Sequence, residues 1–90
     1  MKAEFLEAIT AVLKESEIDL SIRDIESLTT NDTDLVMHVR NDQEMFEFKI
    51  FAYKVKDSIE MNVVPVIDSP YSCDNVIAYY DTKNKSIRYC

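Results

Sequence analysis

One histidine, two cysteines and 17 carboxylates are the side chains of this 90-residue chain best able to catalyse, ligate or dock. His38 alternates with Leu35, Met37 and Val39 and so shares a strand face with Val36 and Arg40. A catalytic base needs an orienting partner and a nucleophile within hydrogen-bond reach. The residues around His38 in sequence supply neither, so it reads as a surface or boundary histidine and no catalytic residue is assigned. Zinc asks for about four spaced ligands, and one histidine with Cys73 and Cys90 makes no such set. Asn31, Asp32 and Asp34 have the spacing of the start of an EF-hand loop. The glycine and the closing glutamate of that motif are out of register, which leaves a polar turn. No metal and no cofactor is expected.

A Cys73–Cys90 bridge is disfavoured by geometry. If Asp81 and Ser86 flank a hairpin loop, Cys90 falls opposite Ile77, and Cys73 lies about 13 Å farther along at roughly 3.3 Å per residue. Bridged Cα atoms stand within about 7 Å of each other. The absence of glycine removes phosphate loops and dinucleotide fingerprints, which need it where backbone meets phosphate. It also hands the left-handed turn positions to Asn and Asp.

The carboxylates carry the sharpest functional signal. The net charge is −7, and it is unevenly spread: residues 1–34 sum to −6, residues 35–68 to −2 and residues 69–90 to +1. Glu15, Glu17, Asp19, Asp24, Glu26, Asp32 and Asp34 form an acidic series that reads either as solvated surface or as a docking face for a basic protein. Such a face would act by charge complementarity. The same charge repels phosphate backbones and anionic lipid, so neither direct nucleic-acid binding nor membrane binding is expected. With no apolar run of about 18 residues and with Lys2, Glu4 and Glu7 interrupting the first segment, a cytoplasmic location is expected.

The elements that must position these groups read as one α+β domain over residues 1–90, an N-terminal helix packed on an antiparallel sheet of four to six strands. Phe5, Leu6, Ile9, Val12 and Leu13 recur at helical spacing over 3–15. Ile18, Leu20 and Ile22 alternate like a short strand, and Ile25 to Leu28 reads as a helical turn or irregular connection. Strands follow over 35–40, 46–55, 59–63, 75–81 and 86–90, with turns at 41–42, 56–58 and 82–85 and a break at Pro65. Within 46–55 the apolar phase switches from Phe46, Phe48 and Ile50 to Phe51, Tyr53 and Val55. A bulge, or burial of both faces, would explain the switch. The weak alternation of 75–81 suggests a strand covered on both sides.

This apolar surplus has two readings: a thicker core closed by the 18–28 segment, or an exposed aromatic patch for a partner or a second copy. The plan of a helix and an acid-bearing antiparallel sheet is similar to that of phage uracil-DNA glycosylase inhibitors and other nucleic-acid mimics. The likeness is one of charge and fold class and carries no residues across. Small size, acidity, the lack of glycine and the lack of a catalytic set lead to the expectation of a small acidic non-enzymatic protein, monomer or homodimer, that binds and inhibits a basic protein partner, in the manner of an inhibitor, immunity factor or phage counter-defence protein, and the likeness implies that such a partner could be a nucleic-acid-binding one. The alternative is a dimeric adaptor or chaperone-like module that holds a client segment on an apolar sheet face.

Overall fold

A computed structural model describes residues 3–17, 20–65 and 76–89. Helix α1, Ala3–Glu15, buries Phe5, Ala8, Ile9, Val12 and Leu13, a stripe at the i, i+3, i+4, i+7 spacing of a core-facing helix. Leu6 lies outside that stripe and is exposed, and Ala8 takes the inward position instead. Glu4 in the first turn and Lys14 in the last match the helix dipole.

The strand expected over 18–22 is absent where it can be followed; Ile18 and Asp19 lie outside the described residues. Leu20 and Ser21 are irregular and Ile22–Asp24 is a single 3-10 turn. The backbone N–H of Ser21 donates to Asp24 Oδ2 at 3.1 Å, which closes that turn. The first strand instead begins at Ile25, so 25–28 is neither helical nor irregular. Strands β1 Ile25–Thr30, β2 Asp34–Asn41, β3 Phe46–Val55, β4 Ser58–Pro65, β5 Val76–Asp81 and β6 Ser86–Tyr89 follow in chain order. They form one six-stranded meander in which every neighbour is antiparallel.

Alpha helix α1 covers one face of this sheet. Leu35, Met37, Val39, Phe48, Ile50, Ala52, Ile59, Met61, Val63, Ala78 and Tyr80 point toward it and are buried with it in a single core. Glu4 pairs with Lys54 at 3.0 Å, and Glu7 accepts a hydrogen bond from Lys85, so the first half of α1 is tied to the ends of β3 and the β5–β6 turn. Register runs unbroken through β3 on both sides, from Asp34↔Tyr53 to Asn41↔Phe46 and from Phe48↔Pro65 to Val55↔Ser58. No bulge therefore occurs at Ile50/Phe51. The inward series continues through Ala52, and the phase switch arises because apolar residues also occupy the outer positions. The one register shift in the sheet's described pairs lies between Ile25 and Ser27 of β1.

The glycine-free turns divide their work in a way the sequence reading did not anticipate. The described residues with positive φ are Glu17, Met45, Lys56 and Lys85, at 55–60°. Asn and Asp serve as caps instead. Asn41 Oδ1 accepts the N–H groups of Gln43 and Glu44, and Asp81 Oδ1 those of Lys83 and Asn84. The cap satisfies the loop donors, and the residue just before the next strand takes the left-handed conformation, in which its Cβ crowds the backbone. Met45 is exposed, so replacing its side chain leaves no cavity. Met45→Gly is expected to raise stability by about 0.5–1 kcal/mol, net of the added freedom of the unfolded chain. Urea titration reads this directly as a higher midpoint at unchanged slope.

The helix–sheet seam also sets the alkaline limit. Burial, and then the Glu7 carboxylate, push the Tyr80 hydroxyl above the ordinary tyrosine value. Burial and then Glu15 do the same for Tyr89. A native pKa above the unfolded one means that the fold favours the protonated form. That contribution is complete below the unfolded value near 10 and is lost as pH rises through the native one. Stability is thus expected to fall above about pH 10, with tyrosinate absorbance and loss of ellipticity rising together. Ionisation of all five tyrosines well before any unfolding would contradict it.

Candidate functional site

The face of the sheet opposite α1 carries no second layer among the described residues. Alternation places Val36, His38 and Arg40 of β2 there, Glu47, Lys49, Phe51, Tyr53 and Val55 of β3, Glu60, Asn62 and Val64 of β4, Ile77 and Tyr79 of β5, and Arg88 of β6. Val36 is 41% exposed, Phe51 38%, Tyr53 40% and Val55 45%. The 20–28 segment does not close over this face. Leu20, Ile22 and Ile25 lie on the helix side, where with Leu6, Leu13 and Met37 they line an open trough of about 530 Å³. The expectation that 75–81 is covered twice is likewise overturned: Ala78 and Tyr80 are buried under the helix, while Ile77 and Tyr79 are only shaded by neighbouring side chains. The apolar surplus is surface.

Across the open face runs a ladder of paired residues, Tyr53↔Glu60↔Tyr79↔Arg88, one from each of β3 to β6. Tyr79 donates its hydroxyl hydrogen bond to Glu60 Oε1 at 3.4 Å, and the Arg88 guanidinium carbon lies 4.9 Å from the centre of the Tyr79 ring. Glu60 also acts on its other cross-strand neighbour, Tyr53: the carboxylate first, and then partial burial, hold that hydroxyl above the usual tyrosine value. One carboxylate thus lies between two phenols, and one of these stacks under a cation. One row away, in the middle of the face, Phe51 pairs with Val36 on one side and Asn62 on the other. Asn62 Oδ1 is buried with no hydrogen-bond partner among the described residues. An amide oxygen left so costs about 1–3 kcal/mol relative to a satisfied one.

His38 has partners that its sequence neighbours did not reveal. Its Nδ1 is 3.1 Å from Glu26 on β1 and its Nε2 is 2.9 Å from Glu47 on β3. The hairpins bring in residues 12 and 9 positions away. Both ring nitrogens are engaged, so the imidazole works as a cross-strand clamp over three strands, and it offers no ring nitrogen to a substrate while those contacts hold.

The acidic series is dispersed. Glu15 is exposed in the last turn of α1 and acts electrostatically on Tyr89 of β6. Glu17 is exposed just past the helix, on the rim of the trough. Asp32 and Asp34 are exposed in and beside the β1–β2 turn, at the other edge of the sheet from Tyr89. Five strand spacings, about 24 Å, separate those edges. Glu26 is committed to His38. Asp24 is withdrawn from the surface: it is 8% exposed, with Oδ2 on Ser21 N–H and Oδ1 accepting from Asn41 Nδ2 at 2.8 Å. Asp19 lies outside the described residues, as do Cys73 and Cys90, so the disulfide reading has no test here. The hairpin register assumed for it, Asp81↔Ser86, is observed. Asn31 turns its Oδ1 to the N–H groups of Thr33 and Asp34, both at 2.8 Å, which makes the 31–34 segment a self-capped turn.

Among the described residues no three or more His, Cys, Asp or Glu side chains are grouped to hold a metal ion. No helix there is long and apolar enough to cross a membrane. The open face was foreshadowed by the alternation in 46–55, and the aromatic ladder could have been found by writing the predicted strands out in register. Comparison with known proteins finds no matching family model, no similar curated protein and no similar solved structure.

Proposed function

We propose that this protein is a non-enzymatic binding module that docks another polypeptide on the open face of its sheet. The observation that carries this reading is the uncovered band of Val36, Phe51, Tyr53 and Val55, which the opposite helix cannot reach. Exposed apolar groups contiguous over neighbouring strands and rimmed by charge are the usual composition of an interface. Tyr and Arg, which combine large area with a polar handle, are the residues enriched at such sites. The dispersed carboxylates favour the sheet-face reading over a purely acidic docking face. The net charge of −7 still biases encounter toward basic surfaces.

Phe51→Asp tests this. The side chain is at the surface, so the variant is expected to keep the wild-type circular dichroism spectrum. Tagged wild type and variant are passed in parallel through a lysate that also contains untagged chain. Wild type should retain a protein, another copy or a different one, that the variant retains at least about tenfold less, as for loss of an aromatic anchor. Equal retention by a folded variant would sink the reading, as would retention by wild type that disappears with Asp32→Lys and Asp34→Lys and not with Phe51→Asp.

A further inference from the structure

Resting on that reading, we propose that the polypeptide docked on the open face is a second copy of this chain, related by a two-fold axis running along the middle row Val36–Phe51–Asn62–Ile77. Among the described residues this face holds one buried polar atom without a partner and one exposed lysine without an ion pair. Asn62 Oδ1 has no hydrogen-bond partner, and Lys49 has no carboxylate within ion-pair distance among the described residues. A two-fold operation along the middle row satisfies both. It sets Phe51 against Phe51 and Asn62 against Asn62 of the second copy. An amide is donor and acceptor together, so after rotation of their side chains two facing Asn62 residues satisfy each other, as a single buried Asn pair does when it fixes register in other dimers.

The same operation exchanges the rows on either side of the axis. Lys49 lies one row toward Asn41, and Glu60 one row toward Val55, on the neighbouring strand. Face to face, Lys49 of each copy therefore comes over Tyr53 and beside Glu60 of the other. The lateral offset is one strand spacing, about 4.8 Å, which a lysine spans. Glu60 already accepts a hydrogen bond from Tyr79, which lowers the cost of taking it out of water. An isologous contact needs a patch complementary to itself, and the exchange of Lys49 with Glu60 makes this one so in charge. The helix acids Glu4, Glu7 and Glu15 lie on the far layer, which keeps their repulsion out of the contact. The result is a two-sheet sandwich with a helix on each outer surface.

Sedimentation equilibrium of the full chain provides the test. Wild type is expected at twice its 10.5 kDa chain mass. Lys49→Glu and Glu60→Lys should each weaken association by about tenfold or more, and the pair combined should recover most of that loss, as coupled charges do. Phe51→Asp should be monomeric. Monomeric wild type at high concentration overturns the second-copy proposal. If Phe51→Asp then loses a different retained protein, the open face still docks a polypeptide and only its occupant is wrong. A dimer that neither Phe51→Asp nor the charge reversals weaken forms through another surface and overturns the second-copy proposal, and the docking reading is then judged by the retention experiment alone.

Discussion

Phe48→Ala is expected to destabilise the protein by about 3–5 kcal/mol, the range for removing a large aromatic side chain from a packed core. Phe48 is 5% exposed on the helix side of β3. It pairs with Val39 and Pro65 across the neighbouring strands and stacks on Phe46 with ring centroids 5.6 Å apart. The truncation removes the transfer free energy of the ring and leaves a void that neighbours fill only in part. Since small domains have about 5–15 kcal/mol in total, the variant should sit near its unfolding midpoint in mild urea. Phe51→Ala, three residues along the same strand, removes the same ring from the open face and should cost less than about 1 kcal/mol in the isolated chain. The contrast is the measurement. Equal losses at the two positions would mean that the outer face is packed against something within the chain, and a loss below 1 kcal/mol at Phe48 would mean that the strand phase is inverted.

That phase was the most legible part of the fold. The stripe of α1 and the alternation of β2, β3 and β4 are strong because each element has one buried side, and period 3.6 or 2 is then imposed on residue type. Where a segment's apolar residues do not report burial, the pattern fails for a physical reason. Leu6 extends the helix stripe in sequence but points to the trough, while Ala8, too small to register as apolar signal, is fully buried. In β3, Phe51, Tyr53 and Val55 read as a second core face and are surface. Residues 22–25 could not be read at all from periodicity, because their conformation is held by the Asp24 carboxylate reaching backward to Ser21 and across to Asn41, 17 positions on. His38 has the same character: the partners that define it, Glu26 and Glu47, become neighbours only through strand register. A run of acids likewise says nothing of convergence, since consecutive acids fall on a helix end, a 3-10 turn and a hairpin that face different ways.

The junction at Asp24 gives the second large effect, and an isosteric substitution isolates it. Asp24 uses two acceptor oxygens on two donors, the Ser21 N–H and the Asn41 Nδ2. Asn41 cannot reverse its amide to help, because its Oδ1 is occupied by the N–H groups of Gln43 and Glu44 that form the β2–β3 turn. Asp24→Asn therefore keeps volume and shape but sets an NH₂ against one of the two donors. The expected loss is about 2–3 kcal/mol, close to that of Asp24→Ala, since a buried donor is left unsatisfied in either case. Asn41→Ala should cost a similar amount through the turn and the junction together. In the double variant, Asp24→Ala with Asn41→Ala, the losses should fall short of additive by about 1 kcal/mol or more, as for residues sharing one network. Chemical denaturation of the four proteins closes this cycle. Additive losses, or an Asp24→Asn variant as stable as wild type, would show that the two Asp24 contacts do not hold the junction together.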